Sequence, residues 1–177
     1  MTSKTLSPKP FFMKKLMLAS SLFLLLTSMV VIADKPNFTG EWKLNEQKSD
    51  LGEFGARFAP KKLKINGQTE SMSVDRFSVN QDGQEVTYNE KISFDGKETE
   101  STVFNSSKKK SSAKWSDDGQ VLTVNSTILF DRNGETTEIK MTEAYKLVDN
   151  GQALSVESTS NSSFGTNTMK LLYDKAK

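Results

Sequence analysis

A chain with neither cysteine nor histidine has few ways to do covalent or acid–base chemistry, and this sequence of 177 residues has neither. Thiol nucleophiles, thiolate zinc sites, iron–sulfur clusters and disulfide frameworks are excluded. A Ser-His-Asp triad is impossible, and the commonest general base and transition-metal ligand are missing. Carboxylates are what remain. Two of them, Glu90 and Glu143, fall on strand positions that the turn registers below place inward, beside Ser101, Ser111, Ser126, Ser158 and Ser160. Paired carboxyls at a fixed separation, one protonated and one ionised, perform glycoside hydrolysis. No array of aromatics able to stack on a sugar accompanies this pair, so no enzyme and no catalytic residue is expected. Asp117-Asp118 reads as turn chemistry rather than a calcium loop, since no run of alternating acids surrounds it. Neither a metal nor a cofactor is implied.

Inward carboxylates still require an explanation, because burying an ionised group without a partner is costly. A water-containing cavity would accept them. So would a local bulge that turns them outward, or a lysine at the barrel mouth.

The elements that position these residues begin after a leader. Residues 13–33 run from Met13-Lys14-Lys15 through an unbroken apolar stretch to Val31-Ile32-Ala33, the pattern of a secretory signal peptide cleaved after Ala33, with Met13 as an alternative start. Leu16 to Ala33 is also just long enough to be weighed as a retained membrane anchor. Cleavage is favoured by the small residue at its end and the polar Asp34-Lys35-Pro36 that follows. The expectation is therefore a leader over 1–33 and one domain over 34–177, exported to the periplasm or secreted, with no integral membrane segment after cleavage. The leader also carries the apparent basicity. Of 24 Lys and Arg against 22 Asp and Glu, it holds Lys4, Lys9, Lys14 and Lys15 and no acid, so the remainder is net −2. No nucleic-acid partner is expected from that balance. Lys108-Lys109-Lys110 reads as a solvated loop.

Beyond the leader, six Asn-Gly or Asp-Gly pairs punctuate the chain: Asn66-Gly67, Asp82-Gly83, Asp95-Gly96, Asp118-Gly119, Asn133-Gly134 and Asn150-Gly151. Each is a strong signal for a two-residue hairpin turn. A further turn is expected at 105–108. They divide the sequence into ten strands, near 38–44, 61–66, 70–80, 84–94, 97–104, 110–116, 120–130, 135–147, 152–160 and 166–174.

Two-residue turns fix which residues oppose each other. Asn133-Gly134 sets Ile128 against Ile139, Ser126 against Met141, Val124 against Glu143 and Leu122 against Tyr145. Asn150-Gly151 sets Leu147 against Leu154, Tyr145 against Val156 and Glu143 against Ser158. Asp118-Gly119 sets Trp115 against Leu122, Ala113 against Val124 and Ser111 against Ser126. All three place the same residues on one apolar face. Asp95-Gly96 would pair Ile92 with Thr99, Glu90 with Ser101 and Tyr88 with Val103, keeping Tyr88, Ile92 and Phe94 inside. Asp82-Gly83 would send Phe77, Val79 and Asp75 inward and Met72 and Val74 outward, a conflict that a bulge near Asp75 would resolve. Ten amphipathic strands with almost no helix must bury their shared face by closing on themselves. The fold class is thus all-β, an antiparallel up-and-down meander closed into a barrel or clam.

Phe38-Thr39-Gly40-Glu41-Trp42-Lys43-Leu44 resembles the Phe-x-Gly-x-Trp-x-Leu opening of the calycins, the lipocalins and fatty-acid-binding proteins, and bacterial secreted lipocalin-like proteins are similar across nearly the whole domain. The resemblance implies that Phe38, Gly40 and Trp42 close the barrel base, with Trp42 packed on a basic residue from a late strand; over 166–174 that residue is Lys170. It also implies a lid after the first strand. Within 45–60, Leu51, Phe54 and Phe58 have helical spacing, weakened by Gly52 and Gly55 and ended by Pro60. An irregular plug would bury the same three side chains. Fatty-acid-binding proteins often hold the lipid carboxylate with an Arg-x-Tyr pair on the final strand. Here Tyr173 matches and Leu171 stands in place of the cation, so a fatty-acid carboxylate is not the obvious ligand.

The function expected is binding of a small hydrophobic or amphipathic molecule by a monomeric barrel. Its lining would be Tyr88, Glu90, Ile92, Trp115, Leu122, Val124, Ile128, Phe130, Ile139, Met141, Glu143, Tyr145, Leu154, Val156 and Tyr173. The alternative is a filled barrel serving as a structural or interaction module of the cell envelope, and a cavity is what separates the two.

Overall fold

A computed structural model describes residues 34–53, 55, 59–80, 83–104, 106–132 and 135–176. Residues 1–33, and with them the expected leader, lie outside the described residues, as do Phe54 and Phe58 of the expected lid and the Asn133-Gly134 turn. Ten strands form one antiparallel sheet: β1 (Gly40–Leu44), β2 (Lys62–Gly67), β3 (Ser71–Val79), β4 (Glu85–Ser93), β5 (Thr99–Val103), β6 (Ser107–Trp115), β7 (Leu122–Arg132), β8 (Glu135–Val148), β9 (Ala153–Ser162) and β10 (Gly165–Lys175). Neighbours run β4-β3-β2-β1-β10-β9-β8-β7-β6-β5, so the meander wraps round until its two edge strands, β4 and β5, meet. This is a nearly closed ten-stranded antiparallel barrel. Closure removes most of the unpaired edge that such Thr- and Val-rich strands would otherwise present.

The registers expected at three turns are the observed ones. Ile128 faces Ile139 and Leu122 faces Tyr145; Glu143 faces Ser158 and Leu147 faces Leu154; Trp115 faces Leu122 and Ser111 faces Ser126. Inward residues are buried or half-buried along these strands, and their reverse faces carry Thr123, Asn125, Lys140 and Thr142.

Four expectations about strands and turns are corrected. The β3–β4 connection is not a two-residue turn: Val79 pairs with Glu85, and Asn80 closes a five-residue loop by hydrogen bonds between its backbone N–H and Gln84 O and from Gln84 N–H to its side-chain oxygen. The register thereby moves by one residue, which exchanges the faces of β3. Met72, Val74 and Arg76 point inward and are buried. Phe77 points outward beneath the Lys62 ammonium, and Asp75 accepts from Asn89. No bulge is needed.

The β2–β3 turn lies at 68–70 rather than at Asn66-Gly67. Gly67 ends β2, and its N–H donates to Thr39 Oγ1 at 3.0 Å.

Between β4 and β5 the expected backbone ladder is replaced by hydroxyl bridges, Thr99 Oγ1 donating to Lys91 O at 2.6 Å and Lys91 N–H donating to Ser101 Oγ at 3.3 Å. The backbone N–H of Phe94 is drawn instead to Glu70 O in the β2–β3 turn, which leads the end of β4 away from β5.

Lys108-Lys109-Lys110 is not a loop. It lies within β6, with Lys109 buried and its neighbours exposed.

Because odd-numbered strands end at one mouth and even-numbered strands at the other, the two ends of the barrel differ. Asp34 to Thr39 crosses the end where β6 finishes. There Phe38 stacks on Trp115 with ring centroids 5.8 Å apart, Phe94 meets Trp115 edge-on, and Tyr145 lies tilted beneath Phe38. Trp42 is fully buried and donates from its indole N–H to Phe38 O at 2.9 Å. The cation over its ring is Lys175, not Lys170, because β10 continues one residue past the expected end and pairs Trp42 with Lys175. Lys170 is exposed and lies near Glu157.

At the opposite end, Asn45 and Asp50 bond to the backbone of β10. The described residues between β1 and β2 form a strap along β10, while Phe54 and Phe58, on which the expected lid depends, lie outside them. Asp50 bridges Lys170 through both backbone hydrogen bonds, and Leu51 packs on the core. Gly52 has φ +64°, and a Cβ there would lie 2.4 Å from Thr168 O, so this position needs glycine.

Candidate ligand cavity

The interior is filled at one end and hollow at the other. Near the closed end Trp42, Ile65, Met72, Val74, Ile92, Leu122, Val124, Tyr145, Leu154 and Val156 pack together with almost no exposed surface. Toward the open mouth lies a cavity of about 310 Å³, at the small end of the volumes typical of ligand sites. Its apolar wall comes from Pro60, Val103, Phe104, Ile128, Ile139, Met141, Phe164, Met169 and Leu171, with Tyr88 at the side. Ser158, Ser160, Ser162 and Asn167 add hydroxyl and amide groups along β9 and β10.

Charged side chains meet at the cavity floor, halfway down the barrel. Arg76 from β3 forms a two-pronged pair with Glu143 of β8, its two Nη atoms donating at 2.9 and 2.8 Å. The same Nη2 donates to Tyr145 Oη at 2.5 Å and reaches Glu90 Oε2 at 3.5 Å. Arg76 Nε lies 3.1 Å from Glu90 Oε1, an ion-pair contact without the angle of a hydrogen bond. Lys109 of β6 donates to both carboxylate oxygens of Glu90 at 2.9 Å and stands 3.7 Å from Glu143. All four charged residues are at least 96% buried. Two cations and two anions cancel, and their mutual hydrogen bonds offset a desolvation cost that would be several kcal/mol for each ion alone.

The local electrostatics follow from this closure. Burial alone would raise the Glu143 carboxyl, but the charges of Arg76 and Lys109 outweigh it and hold the group below the ordinary carboxylate range. Burial likewise acts to lower Arg76, yet Glu143 and Glu90 together keep its guanidinium protonated far into the alkaline range. Burial pushes the Tyr88 phenol up to about 12, against the opposing pull of Arg76, and raises the Tyr145 phenol as well. An ionised, doubly paired Glu143 is poorly placed to act as a general acid, which requires a carboxyl held protonated.

Of the residues singled out from sequence, Tyr88, Glu90, Ile128, Ile139, Met141 and Glu143 line the cavity. Ile92, Leu122, Val124, Tyr145, Leu154 and Val156 face the same interior but belong to the filled half. Trp115 lies at the closed end against Phe38. Tyr173 is buried and donates to Pro60 O at 3.1 Å, anchoring the strap. Phe130 is half-buried on β7, outside the cavity lining.

Arg76 and Lys109 were missed. Nothing local to β3 reveals Arg76 while the Asp82-Gly83 turn is counted as two residues. Lys109 was within reach: the register that sets Ser111 against Ser126 continues to Lys109 against Ile128, an inward position.

Among the described residues no group of three or more His, Cys, Asp or Glu is placed to hold a metal ion, and no helix is long and apolar enough to cross a membrane. Neither a family model nor a curated protein matches the sequence. Among solved structures the chain is similar to the zebrafish ileal bile acid-binding protein complexed with cholic acid, at 16% identity and a TM-score of 0.48, covering 78% of this chain and 98% of that one.

Proposed function

We propose that this chain is a non-catalytic carrier that holds one small hydrophobic or amphipathic molecule in the open half of its barrel. The observation that supports the reading is the cavity itself: about 310 Å³ of space with apolar walls, a polar floor and a mouth lined by Phe104 and Phe164. Phe164 is 79% exposed and Phe104 48% exposed, so the entrance is as apolar as the wall. A barrel built only as an interaction module has no use for this hollow, since filling it would add stability. The same reading takes residues 13–33 as a cleaved export leader and the carrier as a secreted or periplasmic monomer.

Nile red, an uncharged dye that brightens in apolar surroundings, tests the proposal. Its fluorescence should rise and saturate at one dye per chain. Met141→Trp and Ile139→Trp, which put an indole into the cavity, should abolish the rise while leaving the thermal unfolding transition cooperative. No rise with the wild type, or an equal rise in both folded variants, would overturn the proposal and return weight to the filled-module reading.

A further inference from the structure

We propose that the cavity selects a ligand with an uncharged polar end and rejects an anionic one, and that Glu143 and Glu90 are the residues that set this selectivity. The inference rests on the carrier reading and adds the chemical class of the cargo.

Two cations at the floor of an apolar cavity would ordinarily invite a carboxylate or sulfate. Here both are already taken. Glu143 occupies both Nη atoms of Arg76, at 2.9 and 2.8 Å. Glu90 receives Lys109 at 2.9 Å through both of its oxygens. The quartet is neutral as a whole, and its internal partners are nearer than any incoming group could be without breaking them. An anionic headgroup entering this space gives up its water, meets two carboxylates, and finds the donors that would compensate it committed elsewhere. A hydroxyl, carbonyl or amide incurs no such penalty. The polar groups left along the wall, the hydroxyls of Ser158, Ser160 and Ser162 and the amide of Asn167, are neutral donors and acceptors of the matching kind. The carboxylates therefore act as a built-in occupant of the anion position, and the cargo is an uncharged amphiphile.

Competition between Nile red and a pair of amphiphiles of equal chain length, decanol and decanoate, tests the inference near neutral pH, where decanoate is ionised. On the wild-type chain decanol should displace the dye and decanoate should be at least about tenfold weaker, a difference of about 1.4 kcal/mol. Glu143→Gln keeps the shape but frees the Arg76 fork, and should improve decanoate relative to decanol by about tenfold or more. Glu90→Gln, which frees Lys109, should move the ratio in the same direction. Equal displacement by the two amphiphiles on the wild type overturns the inference and leaves the carrier reading standing. So does an unchanged ratio in a variant that folds by circular dichroism. Should the variants fail to fold, the wild-type ratio alone decides. A wild-type chain that takes up neither Nile red nor decanol overturns the carrier reading, and the selectivity with it.

Discussion

Three consecutive lysines offer a sharp test of the buried quartet, because strand alternation gives them different fates. Lys108 and Lys110 are exposed, while Lys109 is 1% exposed with its ammonium against Glu90. Lys109→Met keeps most of the aliphatic stem and removes the charge. Glu90, itself 1% exposed, is then left with Arg76 alone, which reaches it through Nε at 3.1 Å and a long Nη2 bond of 3.5 Å while its Nη atoms bind Glu143 more closely. Removing one partner of a buried ion pair costs about 3–5 kcal/mol. For a domain of this size that lowers the thermal midpoint by on the order of 10 °C. Lys110→Met should change stability by no more than about 0.5 kcal/mol, and Lys108→Met should also have little effect. The double variant Lys109→Met/Glu90→Gln removes both charges and should recover much of the loss, with a coupling of about 0.5–3 kcal/mol between the sites. Urea unfolding followed by Trp fluorescence measures these four variants, and the wild type and Glu90→Gln complete the double-mutant cycle. Equal midpoints for the three single variants would refute the placement of Lys109, and additivity in the double variant would refute its pairing with Glu90.

Two further outcomes follow from the same structure. Glu143 has a folded-state pKa below its unfolded one, so the stability it contributes is complete above about pH 4.3, the ordinary Glu value, and is lost as pH falls through the lower folded value; urea midpoints recorded toward acid should fall, and Glu143→Gln should flatten that fall. Gly52→Ala should destabilise more than Gly83→Ala, which costs about 1–2 kcal/mol for its positive φ alone. Both glycines have positive φ, but only at Gly52 would the added Cβ meet a backbone carbonyl, at 2.4 Å; equal losses in thermal unfolding would show that the strap yields.

What the sequence disclosed depended on loop length. Around Asp118-Gly119 and Asn150-Gly151 the opposing residues keep the sum a two-residue turn dictates even though the ladder stops short of the turn, so Trp115 meets Leu122 and Leu147 meets Leu154. At Asp82-Gly83 the loop spans five residues, and one residue of difference hid Arg76 behind a wrong face. The inward carboxylates were legible, and so was the need for a partner; the partner lay in a lysine run whose composition resembles solvent-exposed chain while its register does not. Hollow and filled halves were not legible at all. Alternation tells inside from outside, whereas depth along the barrel is decided by where the bulky side chains gather, and Phe38, Trp42, Trp115 and Tyr145 gather at one end only through three-dimensional closure. The small residues Ser158 and Ser160 opposite Glu143 and Met141 leave the other end open.

A ligand should enter the open half of the barrel and leave the packed half untouched, and methyl-resolved NMR reads that placement directly. On titrating decanol into the protein, the methyls of Met141, Met169, Ile128 and Ile139 should shift together and saturate, while those of Ile65, Met72, Ile92 and Leu122 in the packed half stay in place. Shifts in the packed half, or none at these four residues of the open half, would contradict that placement.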